Sequence, residues 1–177
     1  MTEYRRAWQT GGTWFFTVNL AQRQGNRLLV DRIDLLREAF RYIGHRHPFH
    51  MDAVVILPEH LHCIWTLPLG DTDFSTRWSL IKARFSRGID VGEQTSQSRS
   101  KRGERGIWQR RYWEHLIRGD EDFNRHVDYI HWTPVKHGWV QRVVDWPHSS
   151  FHDYVWRGFY LEDWGGGNVD RDMEAGE

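Results

Sequence analysis

Hydrophobic and polar positions alternate along this chain in a few clear regimes. Thr13 to Val18 (Thr-Trp-Phe-Phe-Thr-Val) is a run of aromatic and β-branched residues and predicts a first strand. Ile33, Leu36, Phe40 and Ile43 then recur at helical spacing behind Asp31, which stands where an N-cap belongs, so a helix is expected from Asp31 to about Gly44. Met51 to Leu57 reads as a second strand, Pro58-Glu59 as a tight turn, and His60 to Leu67 as a third strand hairpinned to the second. Asp71 to Asp73 can cap a second helix whose stripe is Phe74, Trp78, Ile81 and Phe85, with Arg77, Lys82, Arg84 and Arg87 on its other faces. A fourth strand is expected around Tyr112 to Ile117. A third helix follows from Asp120 to about Trp132, with Phe123, Val127 and Ile130 as its apolar stripe. Thr133-Pro134 reads as a cap with proline opening a new short turn that stops at Gly138, and Ser149 to Arg157 as a last short helix.

The order β-α-β-β-α-β is the ferredoxin-like plan of the α+β class: an antiparallel sheet with helices on one face, here followed by a C-terminal helix. Strands one and three are central in that plan, which puts His60 and His62 mid-sheet. A single domain is expected over residues 1–164. Gly88 to Gly106 lacks periodicity and is expected to be a mobile loop; residues 165–177 are expected to form a disordered acidic tail.

Composition narrows the class. The 177 residues are 39 % hydrophobic and 15 % aromatic, with 11 tryptophans, so large rings must supply the core that aliphatic residues do not. Net charge is zero but uneven. Gly158 to Glu177 holds six acids and one base, leaving 23 bases and 18 acids in the first 157 residues. A basic body with an acidic tail is compatible with a nucleic-acid partner. Cys63 is the one cysteine, which excludes an internal disulfide and a cysteine-rich zinc site. With no apolar signal segment and no run long enough to span a bilayer, a cytoplasmic protein with no membrane partner is expected.

Three features could carry chemistry. On a strand, residues two apart point the same way, so His60 and His62 share one face while Leu61, Cys63 and Trp65 form the opposite, core-facing set. Two adjacent neutral imidazoles are half of a metal site. On the third helix, His126, Tyr129 and Thr133 fall on a second stripe roughly 70–130° from the apolar one, where a tyrosine would flank the sheet and present its hydroxyl to its open face. A tyrosine hydroxyl is a poor nucleophile at neutral pH, and a divalent cation on the histidine pair would supply the charge stabilisation that in-line attack on a phosphodiester needs. Finally, Lys101, Arg102, Arg105, Arg110 and Arg111 cluster with the aromatics of Ile107-Trp-Gln-Arg-Arg-Tyr-Trp-Glu-His115, a composition suited to phosphates and unpaired bases, with Trp113 a candidate core residue.

At these residues the sequence resembles the REP-associated tyrosine transposases, a branch of the HUH single-tyrosine transposases. The resemblance runs through Tyr4-Arg-Arg, Gly11-Gly-Thr-Trp-Phe-Phe-Thr-Val-Asn-Leu, Leu57-Pro-Glu-His-Leu-His-Cys-Ile-Trp-Thr-Leu-Pro, Asp73-Phe-Ser-Thr-Arg-Trp, Gly103-Glu-Arg-Gly-Ile-Trp-Gln-Arg-Arg-Tyr-Trp-Glu-His, Asp128-Tyr-Ile-His-Trp-Thr-Pro-Val-Lys-His-Gly and Asp145-Trp-Pro-His-Ser-Ser-Phe-His. It implies a metal-dependent single-strand endonuclease and strand transferase acting on REP or BIME hairpin DNA. His60 and His62 would bind Mg²⁺ or Mn²⁺, and Tyr129 would form a 5′-phosphotyrosine and release a 3′ hydroxyl. It also implies that Tyr4, Arg5, Arg6 and the 101–111 stretch contact the hairpin, in a bacterial, nucleoid-associated protein with a monomer favoured over a dimer. Where the family has asparagine four residues after its tyrosine, a third metal ligand, this chain has Thr133. The site would then use water, recruit His126 from the same stripe, or be impaired. An impaired site would leave a scaffold that only binds hairpin single-stranded DNA. Glu59 stands where the family often has aspartate. An RNA-binding module of the same shape would show aromatics, not histidines, on the third strand.

Overall fold

A computed structural model of the chain describes residues 11–92, 97–167, 169–173 and 175–177. Four strands, β1 (Thr13–Asn19), β2 (His50–Ile56), β3 (His60–Thr66) and β4 (Trp113–Leu116), form one sheet in the order β2-β3-β1-β4, antiparallel at every pairing. The fold class and the central places of β1 and β3 are as the sequence pattern predicts. A register shift between Met51 and Ala53 marks a bulge in β2.

The helices are α1 (Leu28–Asp31), α2 (Ile33–Arg46), α3 (Phe74–Arg87), α4 (Gln97–Ser100), α5 (Gly119–Lys136) and α6 (Phe151–Trp156). Asp31 ends a separate short helix rather than capping α2. Asp73 does cap α3, accepting a hydrogen bond from the Thr76 N–H. The expected break at Thr133-Pro134 is absent: α5 runs through Pro134 to Lys136. Proline removes the donor that would serve the Ile130 carbonyl, yet the helix continues and ends with His137 N–H on Thr133 O; the Thr133 hydroxyl itself donates to the Tyr129 carbonyl at 2.7 Å.

Strand parity sorts two cores. Trp14, Phe16, Val18, Leu61, Cys63 and Trp65 face α2 and α3, where Trp65 stacks on Trp78 with centroids 4.3 Å apart. Phe15, Ala53, Val55 and Ile64 face the other way, and that face, expected to lie open, is covered by Val127, Tyr129 and Ile130 of α5. A third cluster of Trp132, Val143 and Phe151 seals the outer side of α5. This helix is therefore sandwiched, and both of its stripes are buried. The same α3 holds a buried cation: Arg77 reaches both carboxylate oxygens of Asp71 and the carbonyls of His47, Pro48 and Asp73. Among the described residues no helix is long and apolar enough to cross a membrane.

Residues 165–177, expected to be a disordered tail, contain a described end that folds back onto the sheet. Ala175 is buried in the second core, its carbonyl accepts from the Thr17 hydroxyl, and the Gly176 carbonyl accepts from Asn19 Nδ2 at 3.2 Å. These pairings satisfy polar groups that β1 turns toward the α5 face, which composition alone does not reveal.

Candidate functional site

His60 and His62 are fully buried on the α5 face of β3, with ring centroids 4.9 Å apart. Each is oriented through Nδ1. His60 Nδ1 lies 2.9 Å from the Glu59 carboxylate, which can only accept, so Nδ1 carries the proton. His62 Nδ1 lies 2.7 Å from Thr17 Oγ1, whose own proton goes to the Ala175 carbonyl. Both histidines thus turn an unprotonated Nε2 into the site, the arrangement of metal-ligating imidazoles held by a second-layer acceptor. His60 Nε2 is buried with no hydrogen-bond partner among the described residues. Burial lowers the pKa of both rings, that of His62 to about 3, so both are neutral at pH 7. Burial would raise Glu59, but the hydrogen bond and charge of His60, with Arg23 nearby, hold its carboxyl at about 2. The expected histidine pair is therefore a preorganised donor set.

Tyr129 projects from α5 beside it, its ring centroid 5.5 Å from that of His62. The residue is fully buried rather than flanking an open sheet, because α5 crosses the face and the returning end of the chain closes over it. Lys136, two turns along the same helix face, donates Nζ–H to the Tyr129 hydroxyl at 2.7 Å and lies 4.7 Å from its ring centroid. Burial first, then the hydrogen bond and charge of Glu177, raise the Tyr129 pKa well above that of a free tyrosine.

Glu177 is the residue on which the site converges. Its carboxylate bonds the Tyr129 hydroxyl and lies 3.1 Å from His62 Nε2, 3.0 Å from His137 Nε2 and 3.1 Å from Lys136 Nζ. Burial would raise its pKa, but the surrounding polar groups, the hydrogen bond from His137 first and that from the Tyr129 hydroxyl with it, keep it an anion. His60, His137 and Glu177 form one of two described groups able to hold a metal ion. His137 ends α5 with its ring 5.2 Å from that of His60.

Thr133 and His126, the alternatives considered for a third ligand, are engaged with other partners. The Thr133 hydroxyl is committed to the Tyr129 carbonyl inside the helix. His126 belongs to a different cluster, stacked on His115 at 4.7 Å and 3.1 Å from Asp122, with Phe15 standing 4.8 Å from its ring and 5.6 Å from that of His62. Both depart from expectation for one reason: a shared helical stripe fixes a direction, while the atoms each side chain finds first decide its role.

The basic stretch splits. Lys101, Arg102 and Arg111 are exposed. Arg110 is exposed too but pairs with Glu104 at 2.8 Å. Arg105, expected at the DNA surface, instead binds the carbonyls of Ser86, Ile89 and Asp90 and ties the 88–106 connection to the end of α3. Trp108, not Trp113, enters the core; Trp113 is 39 % exposed and lies against Gly176. Thr17 pairs with His62 on one side and with Trp113 on the other, so Trp113, the first residue of β4 and two positions after Arg111, stands about 10 Å, two strand spacings, from His62. Tyr4, Arg5 and Arg6 lie outside the described residues.

Sequence reasoning missed Lys136, His137, Thr17 and Glu177. The first two had a signal, since residues seven and eight after Tyr129 return to its helical face. Ending the helix at about Trp132 and starting a new turn at Thr133-Pro134 hid it. Glu177 had none.

Comparison with known proteins places this geometry. No family model matches the chain. Over 177 residues, all of this chain and 98 % of its relative, it is 49 % identical to the REP-associated tyrosine transposase of Escherichia coli (strain K12). It is 44 % identical over 167 residues, 94 % of each chain, to a Haemophilus influenzae relative named for the same family. A solved structure of a REP-associated tyrosine transposase bound to a REP hairpin matches with a TM-score of 0.84 and 49 % identity, covering all of this chain and 98 % of that one.

Proposed function

The chain belongs to the REP-associated tyrosine transposases, and from that premise we propose that it cleaves and rejoins single-stranded hairpin DNA of the REP or BIME type with a divalent metal, through a 5′-phosphotyrosine on Tyr129. One observation carries the reading: Tyr129, Lys136, His62 and His137 converge on a single carboxylate, that of Glu177. A carboxylate and a phosphodiester are both resonance-stabilised oxyanions, so a pocket that holds one through Tyr129, Lys136 and His137 accepts the other.

The donor set fits a divalent ion. His60 Nε2 is buried and unpartnered, and His62 Nε2 presents a lone pair toward an anion, which a cation between them would reconcile. His60 and His62 would hold it, with Mg²⁺ or Mn²⁺ the ions implied by the family. Bound there, the ion would polarise the phosphate and offset charge in the transition state. The protein's own groups do the rest. Glu59 and Thr17 fix the two tautomers. The Lys136 ammonium stabilises the phenolate as Tyr129 loses its proton, because the cation faces the oxygen directly. Attack forms the Tyr129 O–P bond and breaks the bond to the 3′ oxygen, which departs as a hydroxyl after taking up a proton. Exposed Lys101, Arg102, Arg110 and Arg111 supply phosphate contacts beside the site, and Trp113 a stacking ring.

The test is a labelled single-stranded hairpin incubated with protein and Mn²⁺, run on a denaturing gel. A protein–DNA adduct that Tyr129→Phe abolishes while hairpin affinity is retained is the expected result. Hairpin binding with no adduct under any metal would instead establish the binding-only reading, which the withdrawn Thr133 hydroxyl favours.

A further inference from the structure

We propose that His137 supplies the third protein ligand of the metal site, in place of the residue four after the tyrosine. The inference rests on the metal-dependent reading above and deepens it. Tyr129, Thr133 and His137 lie one above the other on α5, stepping about 40° per four residues. The helix passes over β3 so that Tyr129 meets His62 while His137 meets His60. Eight helical residues rise about 12 Å and two strand residues about 7 Å. The reach of the side chains closes the difference, as the ring distances show. Thr133 sits between, too short to span it, with its hydroxyl already given to the Tyr129 carbonyl.

Two independent observations point to a ligand at this place. His60 Nε2 is a buried nitrogen with no partner among the described residues. Donor atoms of His60, His137 and Glu177 all lie within 4.8 Å of one another. Of those three, Glu177 also binds Tyr129 and Lys136, the groups that act on the reacting phosphate, so its carboxylate marks the substrate's position. That leaves His60, His62 and His137 as a three-imidazole set. Such a set is softer than one completed by an amide oxygen and favours Mn²⁺ over Mg²⁺.

The experiment is pulsed EPR on the full chain loaded with Mn²⁺ alone, counting coupled imidazole nitrogens, alongside Mn²⁺ titration by calorimetry. Three couplings are expected in the parent chain and in Thr133→Ala. Two are expected in His137→Gln, with Mn²⁺ affinity down about tenfold or more and an unchanged circular dichroism spectrum. Glu177→Gln keeps all three. Two couplings in the parent chain, or His137→Gln indistinguishable from it, would overturn the assignment while leaving a metal-dependent site intact. Absence of Mn²⁺ binding in the parent chain would remove both the assignment and the function it rests on.

Discussion

Glu177→Ala should make this protein a tighter DNA binder. Its carboxylate occupies the position assigned to the reacting phosphate, so tail and substrate compete for one pocket. The carboxylate bonds to Lys136 and Tyr129 do not depend on histidine protonation. At about 1.5–3 kcal/mol each, charge-assisted bonds of this kind total about 3–6 kcal/mol. Ordering Ala175 to Glu177 costs a similar amount at about 1–2 kcal/mol per residue. The hydrogen bonds from Thr17 and Asn19 to the Ala175 and Gly176 carbonyls tip the balance by about 1–3 kcal/mol toward the closed arrangement. Removing the carboxylate reverses that balance, and the apparent dissociation constant for a hairpin should fall about 5- to 100-fold, with adduct formation rising in parallel. Fluorescence anisotropy with a labelled hairpin at fixed salt reads the effect. Asp172→Asn, at an exposed position, controls for the loss of one negative charge. If Glu177→Ala gains no more than Asp172→Asn, the competition argument is wrong.

Arg77→Met should destabilise the fold by about 3 kcal/mol, the low end for breaking a buried pair because Asp71 keeps some access to water; urea midpoints would show it. Burial lowers the Lys82 pKa to about 8, and its ammonium lies against Trp108 and Tyr112. The unfolded chain therefore binds the extra proton between pH 8 and about 10.4, so stability should rise over that window and Lys82→Met should flatten the rise in urea titrations at stepped pH. Burial holds His131 and His62 at about 3, so between pH 6.5 and 4 the unfolded chain gains protons that the native one refuses. Stability should fall with acid across that range, and His131→Gln should remove part of the slope.

How much of this was legible in the sequence depended on whether a signal was local. Alternation along β1 and β3 fixed which residues face α2 and α3, and it put His60 and His62 on one side without reference to anything distant. The helical stripes of α2 and α3 likewise survive because each buries a single face. Alternation could not show that the opposite face is also covered: the polar positions Thr17, Asn19, His60 and His62 look like a solvated surface until a helix is laid across them. The α5 boundary failed for a related reason. Proline is a sound stop signal for an exposed helix, but here packing on both sides of α5 outweighs one missing bond. Arg105 shows the same limit, because its three carbonyl partners belong to a turn of unrelated sequence.

The neutrality of the buried histidines has a consequence for how an anionic substrate could be held at all. With His60 and His62 uncharged at pH 7, the positive charge facing Tyr129 from this chain's described residues is that of Lys136. One lysine offsets one phosphate charge but leaves none for the second negative charge that develops as the tyrosine attacks. The lone pairs that Glu59 and Thr17 aim inward cannot bind an anion directly; they attract it only through a cation. On the proposed metal-dependent function, burial that strips the histidines of their protons is thus the step that would make the pocket depend on a metal, and Glu59→Gln separates the two roles. A glutamine carbonyl can still accept from His60 Nδ1, but it no longer raises the ring's basicity. Metal affinity should fall by about tenfold while hairpin binding without metal stays as it was. Equal losses with and without metal, measured by anisotropy in Mn²⁺ and in EDTA, would mean that Glu59 shapes the DNA surface and that the histidines are not tuned through it.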